Sequence, residues 1–513
     1  MAIASTCRSR PSTGPRRCAT TMRMSTRTGS CVAIWASIRR SRPPDRRFGP
    51  SSRSPACTAS WASARRTRWR SRSTSGSIRR RPAAFRTSTL SNWRSSRRRR
   101  RTRIHPMPPR AATTDDIPSV GEIRIEIVRT ADGLAALEAE WRALERRAAD
   151  PMTYFQSFDW CSTWCRFNQD GYDPCGIRIV TARSRDRLVL VWPLMMTGSS
   201  WTVRRMLPLT MPHGQYGNMI VDPDLQTDGP LRATIEDCLQ QLVAAESPDL
   251  VSFTDVPSGC DELPAAFDGS GQIETVGKSA WMDLTLFEDF EDYNRQLTRS
   301  VRKGRKRKRN ALDGLGRIEH VVKRGGETGF GDLVRAGVEM KRIWLQETGR
   351  PTRVVNRDDF ADFLGALPHD PETGNGAIAS AITLDGRPIA VEIGFRWFGR
   401  FYSYLGSFDW SLRDYSPGKV QLEEVIRWCL EEGIEAYDLL GEPATYKSGW
   451  SNSSTSLKSY RLEPTLRGKA FASVWSRSIR PAAKSMMEAA PLGLRTRLAP
   501  LAERITKASE KSA

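Results

Sequence analysis

The sequence predicts an α/β (α+β) protein: two consecutive units, each a mixed twisted sheet flanked by helices, behind a basic N-terminal segment that cannot fold alone. Three observations predict it. Apolar runs that alternate as strands do are interleaved with segments whose apolar residues recur every three to four positions. Between residues 377 and 440 the order strand, strand, strand, helix, strand can be read directly. Finally, composition breaks sharply near residue 115. The 513 residues carry 80 Lys or Arg against 57 Asp or Glu, a formal charge of +23. Residues 1 to 114 hold 29 Arg, no Lys, one Asp and no Glu, so the rest of the chain is slightly acidic.

Residues 1–118 are rich in Arg, Ser, Thr and Pro and show no sustained apolar period. Such a segment buries too little apolar surface to offset the entropy of ordering and is expected to be disordered. Clustered Arg suits a nucleic-acid arm, and an acid-poor, Arg- and Ser-rich start suits a transit peptide. Neither accounts for the complete absence of Lys and Glu. GC-rich DNA translated outside its coding frame gives that composition, so synthesis is expected to start at or near Met107, with no nucleic-acid partner. No apolar run approaches the roughly 18 residues needed to cross a membrane, and no signal-peptide core opens the chain, which points to the cytoplasm. Six of the ten cysteines lie beyond residue 114, none in a CxxC pair, and the four histidines are isolated; free thiols and no metal are expected.

In the first unit, 119–278, Ile123, Ile125 and Ile127 alternate as a strand, and Leu134, Leu137, Trp141 and Leu144 mark one helix face. Trp160 and Trp164, four residues apart, belong to a helix core. Residues 177–182 and 188–194 read as a hairpin linked by Arg183 to Arg187, followed by a helix at 230–244 and a strand at 249–254. His213, in the Gly-rich stretch MPHGQYGN, is a candidate pocket residue.

The second unit, 279–465, is expected to open near Trp281 with one long helix in which Tyr293, Leu297 and Val301 share a face. A helix at 331–346 precedes a meander of strands at 377–384, 388–397 and 400–408, with Asp385 and Gly386 in its first turn. A helix at 418–432, with Leu422, Val425, Ile426 and Cys429 on its buried side, leads to a strand at 434–440. Residues 466–513 form a basic, amphipathic helical tail. Arg299 to Arg309 has cations at eight of eleven positions and reads either as a solvated helix face or as an electrostatic site for an anion.

The segment YSPGKVQLEEVI, from Tyr415 to Ile426, turns tightly into a helix. The unpaired N–H groups and positive dipole at such a helix start suit a phosphate, and Lys419 adds a mobile cation. The same residues also make an ordinary helix start, with Ser416 as cap and Pro417 in the first turn.

Wider motifs decide between these readings. Gly386, Pro388 and Ala390; Tyr402 and Asp409; Ser416, Pro417 and Gly418; Tyr437, Asp438 and Leu439; and Tyr446, Lys447 and Trp450 resemble the pattern of CelD-like acetyltransferases of the GCN5-related (GNAT) superfamily and their FemAB-type relatives. FQSFDWCSTW, from Phe155, resembles the family's early aromatic motif, and the likeness spans about residues 119 to 465. The phosphate loop runs from Arg413 to Gly418 without the family's second glycine.

The resemblance implies two tandem GNAT-like domains and an acyltransferase. Acetyl-CoA or another acyl-CoA is the implied co-substrate, on Arg413, Ser416, Pro417, Gly418, Lys419 and Val420. A sugar, amine or polysaccharide precursor is the implied acceptor, with peripheral contact to a membrane-bound polysaccharide-synthesis complex. Acyl transfer needs a base for the acceptor and an acid for the leaving thiolate. Tyr402 and Tyr404 share a strand face and are candidate acids. Glu392, inside a strand, is a candidate base whose pKa burial raises. Asp409 and Asp438 end strands on the expected cofactor side, Asp409 as a catalytic candidate and Asp438 for substrate. Tyr446, Lys447 and Trp450 are the other substrate-binding candidates. Aminoacyl transfer from tRNA and a catalytically silent scaffold remain as alternatives.

Overall fold

The computed structural model describes residues 123–168, 176–198, 202–227, 231–257, 271–350, 352–441 and 447–474. The expectations for residues 1–118 and for the tail beyond residue 474 lie outside them.

The first half runs β1 (Ile123–Val128), α1 (Ala131–Ala136), α2 (Glu138–Ala148), α3 (Phe158–Phe167), β2 (Ile177–Ser184), β3 (Arg187–Thr197), β4 (Arg205–Pro208), β5 (Ile220–Val221), α4 (Pro223–Thr227), α5 (Leu231–Glu246) and β6 (Leu250–Pro257). Thr130 and Ser157 cap α1 and α3 by accepting from Gly133 N and Trp160 N, which satisfies donors the first turns leave open. The hairpin link is shorter than expected: β2 reaches Ser184 and β3 starts at Arg187.

The chain continues with β7 (Gly271–Asp283), α6 (Phe290–Gln296), α7 (Arg299–Asp313), β8 (Ile318–Arg324), α8 (Phe330–Glu347), α9 (Arg353–Asn356), α10 (Phe360–Gly365), β9 (Gly376–Leu384), β10 (Arg387–Trp397), β11 (Arg400–Phe408), α11 (Pro417–Glu431), β12 (Ala436–Asp438), β13 (Ser453–Leu462) and α12 (Leu466–Phe471). The single long helix expected from Trp281 is instead a strand followed by two helices. Trp281 lies in β7, and Leu297 is extended (ψ 147°). Thr298 then accepts from Val301 N and starts a new helix, leaving Val301 42% exposed rather than on the face of Tyr293. The last expected strand shortens to 436–438, because the chain turns at Leu440, which has a φ of 53°.

The two expected units are halves of one continuous sheet, ordered β1-β2-β3-β4-β6-β13-β7-β12-β11-β10-β9-β8, with β5 on β3. From either edge the plan is the same. Antiparallel strands β1 to β4 are followed by a parallel step to β6, and antiparallel β8 to β11 by a parallel step to β12. Helix α5 precedes one parallel strand and α11 the other. In the middle the halves exchange strands: β7 follows β6 in sequence but pairs with β12, and β13 follows β12 but pairs with β6. The two exchanged strands also pair with each other.

Aromatic side chains join the halves. Tyr154, Phe155 and Trp160 of the first half pack with Phe363, Phe395 and Tyr402 of the second, all buried, with Tyr154 stacked on Phe395 at 4.3 Å. Each such ring contributes roughly 1.5 to 3 kcal/mol by leaving water. Trp164 is buried in the same core. Cys161, Cys165, Cys238 and Cys429 are free thiols, buried or half-buried. Among the described residues no helix is long and apolar enough to cross a membrane, and no three His, Cys, Asp or Glu side chains gather as a metal site would need.

Candidate active site

Strands β11 and β12 run parallel for only three pairs, the last being Tyr402 with Asp438. Beyond that pair β11 continues to Phe408, while the chain leaves β12 and turns at Leu440. The sheet therefore splays between them. Helix α11 starts just after β11, and its N-terminus follows Ser416, held in the left-handed region (φ 58°) with no side-chain cap bond. Pro417 has no N–H and Lys419 N donates to Ser416 O at 3.0 Å, which leaves the Gly418 N–H for another acceptor. At Gly418 a Cβ would stand 3.3 Å from the Phe408 ring, so the close approach of backbone to ring favours glycine. Lys419 is exposed beside it, and its charge lowers the pKa of Lys308 on α7, where burial acts first. Arg413, in the 3-10 turn Trp410–Tyr415, lies over the Trp410 ring, and Pro417 and Val420 are buried beneath the helix start. An uncapped helix end, a glycine, paired cations and an adjacent splay fit the diphosphate and thioester arm of an acyl-CoA.

The four candidate catalytic groups are not brought together. Tyr402 and Tyr404 share a face of β11, as alternation requires, and point towards the first half. Tyr402 donates to Pro151 O and Tyr404 to His213 O at 3.1 Å. Burial raises the pKa of both phenols. Glu392 lies on the opposite face, beneath α11, where it accepts from the Tyr437 hydroxyl. Burial raises its carboxyl pKa, opposed by hydrogen bonds from Tyr437 and Ser403. Asp409 caps the 3-10 turn by accepting from Ser411 N at 3.0 Å, and it pairs with Arg387.

Asp438 is fully buried at the point where the strands part. Four donors converge on it: Arg400 Nε at 2.9 Å, the Tyr216 hydroxyl at 2.9 Å, the Ser279 hydroxyl at 3.0 Å and Leu440 N at 2.9 Å. The network ties β7, β11 and β12 to a first-half loop. Arg400 stacks on Trp281 at 4.9 Å, and its Nη2 is buried with no hydrogen-bond partner.

Lys447 donates to Leu440 O, and burial lowers its pKa while nearby Asp438 opposes the shift. Trp450 is buried, with the Arg305 guanidinium 3.8 Å from its ring centre. Tyr446 lies outside the described residues. His213 accepts from Trp164 Nε1 at 3.0 Å through Nδ1, which leaves its proton on Nε2, and burial pushes its pKa down to about 4.

Sequence reasoning missed Arg400, Tyr216 and Lys341. Lys341 of α8 donates to Gly406 O, on the splayed part of β11, at 3.1 Å. Its pKa is lowered by burial and then by Lys447. An Arg opening the otherwise apolar strand RFYSYLGSF is a signal for a buried counter-ion, and Tyr216 stands three residues from the flagged His213. Lys341 carries no such signal, because its position emerges only when α8 packs on β11.

Residues 299–448 match the family model described as an acetyltransferase (GNAT) domain. The second half of the chain carries a GNAT-type acyltransferase fold. Among solved structures, FemX aligns at 12% identity over 66% of this chain and 98% of its own, with a TM-score of 0.46. A tandem GNAT protein from the clavulanic acid biosynthesis pathway aligns at 12% identity over 67% and 98%, with a TM-score of 0.36. A conserved protein of unknown function from Bacteroides thetaiotaomicron aligns at 10% identity over 66% and 100%, with a TM-score of 0.43. No curated protein matches the sequence.

Proposed function

We propose that the protein transfers an acyl group from an acyl-CoA, acetyl-CoA in the first instance, directly to an amine or hydroxyl of a sugar or polysaccharide precursor. One observation carries the reading: the open N-terminus of α11 adjoins the gap where β11 and β12 part. The acyl-CoA would supply an activated carbonyl. The chain's own groups would hold and orient it, with the diphosphate on the Gly418 N–H and the Lys419 side chain and the thioester arm between the strands. The acceptor's N–H or O–H gives up its proton as the new bond to the acyl carbon forms, the C–S bond breaks, and the thiolate takes a proton. Glu392 is the carboxyl best suited to hold a proton, because burial favours its neutral form. Asp438 and Asp409 already accept several donors each and serve as positioning residues. The acceptor class, and a role in exopolysaccharide or cellulose production, rest on the CelD-like motifs.

Calorimetric titration with acetyl-CoA tests the reading. Wild-type protein should bind, and Gly418→Val and Lys419→Glu should each weaken binding by about tenfold or more. Glu392→Gln should keep binding but lower turnover on a panel of amino sugars by about 10²-fold. Absence of acetyl-CoA binding at millimolar concentration would overturn the proposal and leave a scaffold that kept the fold without the reaction.

A further inference from the structure

The densely cationic helix α7 is not merely a solvated face. With α6 and α11 it walls a groove of about 870 Å³, a size that suits a small organic ligand. Arg302, Arg305, Lys306, Arg309 and Asn310 line it, and their spacing of three to four residues is one face of the helix. Arg307, about 100° round the helix from Lys306, is exposed and outside the groove.

The floor is built from partnered side chains. Arg305 is only 7% exposed; it donates to the Tyr293 hydroxyl at 2.8 Å and lies 3.8 Å from the Trp450 ring centre. Across the groove Arg427 lies 3.7 Å from the Phe290 ring centre and pairs with Glu424 at 3.4 Å, a carboxylate that Arg309 also holds. Above this floor, Lys306 and Asn310 have no side-chain partner among the described residues and are free to bind. Six cations line the groove against three carboxylates, so an anion is attracted, but Glu291 and Glu423 stand among the cations as acceptors. Glu423 has only a distant ion pair, 3.8 Å from Arg305. A ligand that is all anion would face these carboxylates. One that also carries hydroxyls satisfies them.

We propose that the groove binds a phosphorylated sugar, its phosphate on Lys306 and the guanidiniums of α7 and its hydroxyls on Glu291, Glu423 and the Asn side chains. A nucleic-acid strand fits less well, since its repeating charge would run over the carboxylates. The site is separate from the start of α11. Glu423 and Arg427 stand five and nine residues past Gly418, roughly 8 and 14 Å along the helix axis. The inference therefore does not rest on the acyltransfer reading.

The test is calorimetric titration of the full chain with glucose 1-phosphate, glucose, inorganic phosphate and a short single-stranded RNA. Glucose 1-phosphate should bind saturably, and more tightly than either glucose or inorganic phosphate. Lys306→Glu should weaken it about tenfold or more, whereas Arg307→Glu, the same charge change about 100° round the helix and outside the groove, should alter it less than about twofold. Acetyl-CoA affinity should be unchanged in both variants, so failure here and failure of the acyltransferase reading are distinguishable. Equal losses in the two variants, glucose or phosphate binding as tightly as the sugar phosphate, or tighter and steeply salt-dependent RNA binding would each overturn the proposal.

Discussion

Asp438 shows what a single carboxylate does at the centre of this molecule. It is fully buried, accepts four hydrogen bonds and faces the buried guanidinium of Arg400. Removing one member of a buried pair strands the other charge, at a cost of about 3 to 5 kcal/mol. Asp438→Asn should therefore lower the urea midpoint by that equivalent, and adding Arg400→Met should recover part of the loss; additive losses would mean that the pair is not coupled. Two other buried groups set a pH dependence of opposite signs. Burial pushes the Glu145 carboxyl up from 4.5 to about 7, so its contribution is present below about 4.5 and is lost as pH rises through about 7. Burial pushes His213 down from 6.5 to about 4, so its contribution is present above 6.5 and is lost as pH falls towards 4. Glu145→Gln keeps an acceptor for Phe158 N, 2.6 Å away, and removes only the first effect. The variant should gain up to about 3 kcal/mol on the parent between pH 4.5 and 8, read from urea midpoints, and parallel pH profiles would reject the assignment. At this scale the sequence was a partial guide. A glutamate inside the apolar run PIAVEIGF announces its own desolvation. That four donors would meet on Asp438 depends on strands far apart in the chain.

At the scale of elements, the clearest lesson is the break between α6 and α7. Periodicity carries apolar spacing straight through Leu297 and Thr298, but Thr298 caps the second helix through Val301 N at 3.4 Å. Thr298→Ala should cost about 1 kcal/mol in the urea midpoint, and Thr298→Ser should restore most of it; no loss in the alanine variant would mean that the cap does not hold the helix start. The meander β9 to β11 was legible because its strands are apolar runs and because Asp385 and Gly386 take the positive φ values, 50° and 82°, of a tight hairpin turn. Strands β8 and β13 were not legible. SSTSLKSYRL offers few apolar positions, and β13 is a strand because β6 and β7 pair with its backbone on both sides. The α11 start was legible for a different reason: Pro417 and Gly418 are local signals that need no tertiary partner.

The exchange of β7 and β13 governs the molecule as a whole. A boundary near residue 278 is natural to a sequence read as two units in series, yet that position lies inside β7. Because β7 pairs with β12 and β13 with β6, each half's sheet is completed by the strand that follows the other half's parallel strand. The shared aromatic core and the Asp438 network span the same seam. Independent folding of either half would leave an unpaired edge beside an exposed apolar face, a template for aggregation. The full protein should therefore unfold in one step, with Trp fluorescence and far-UV circular dichroism tracing coincident urea transitions. A chain ending at residue 448, where the family match stops, lacks β13 and should lose the fold of both halves rather than the second alone. Supplying residues 449–474 as a separate peptide should restore part of it, since the strand's partners on both sides would still be present. Two separated transitions in the full chain, or a cooperatively folded first half in the truncated one, would show that the seam is only a contact between autonomous domains.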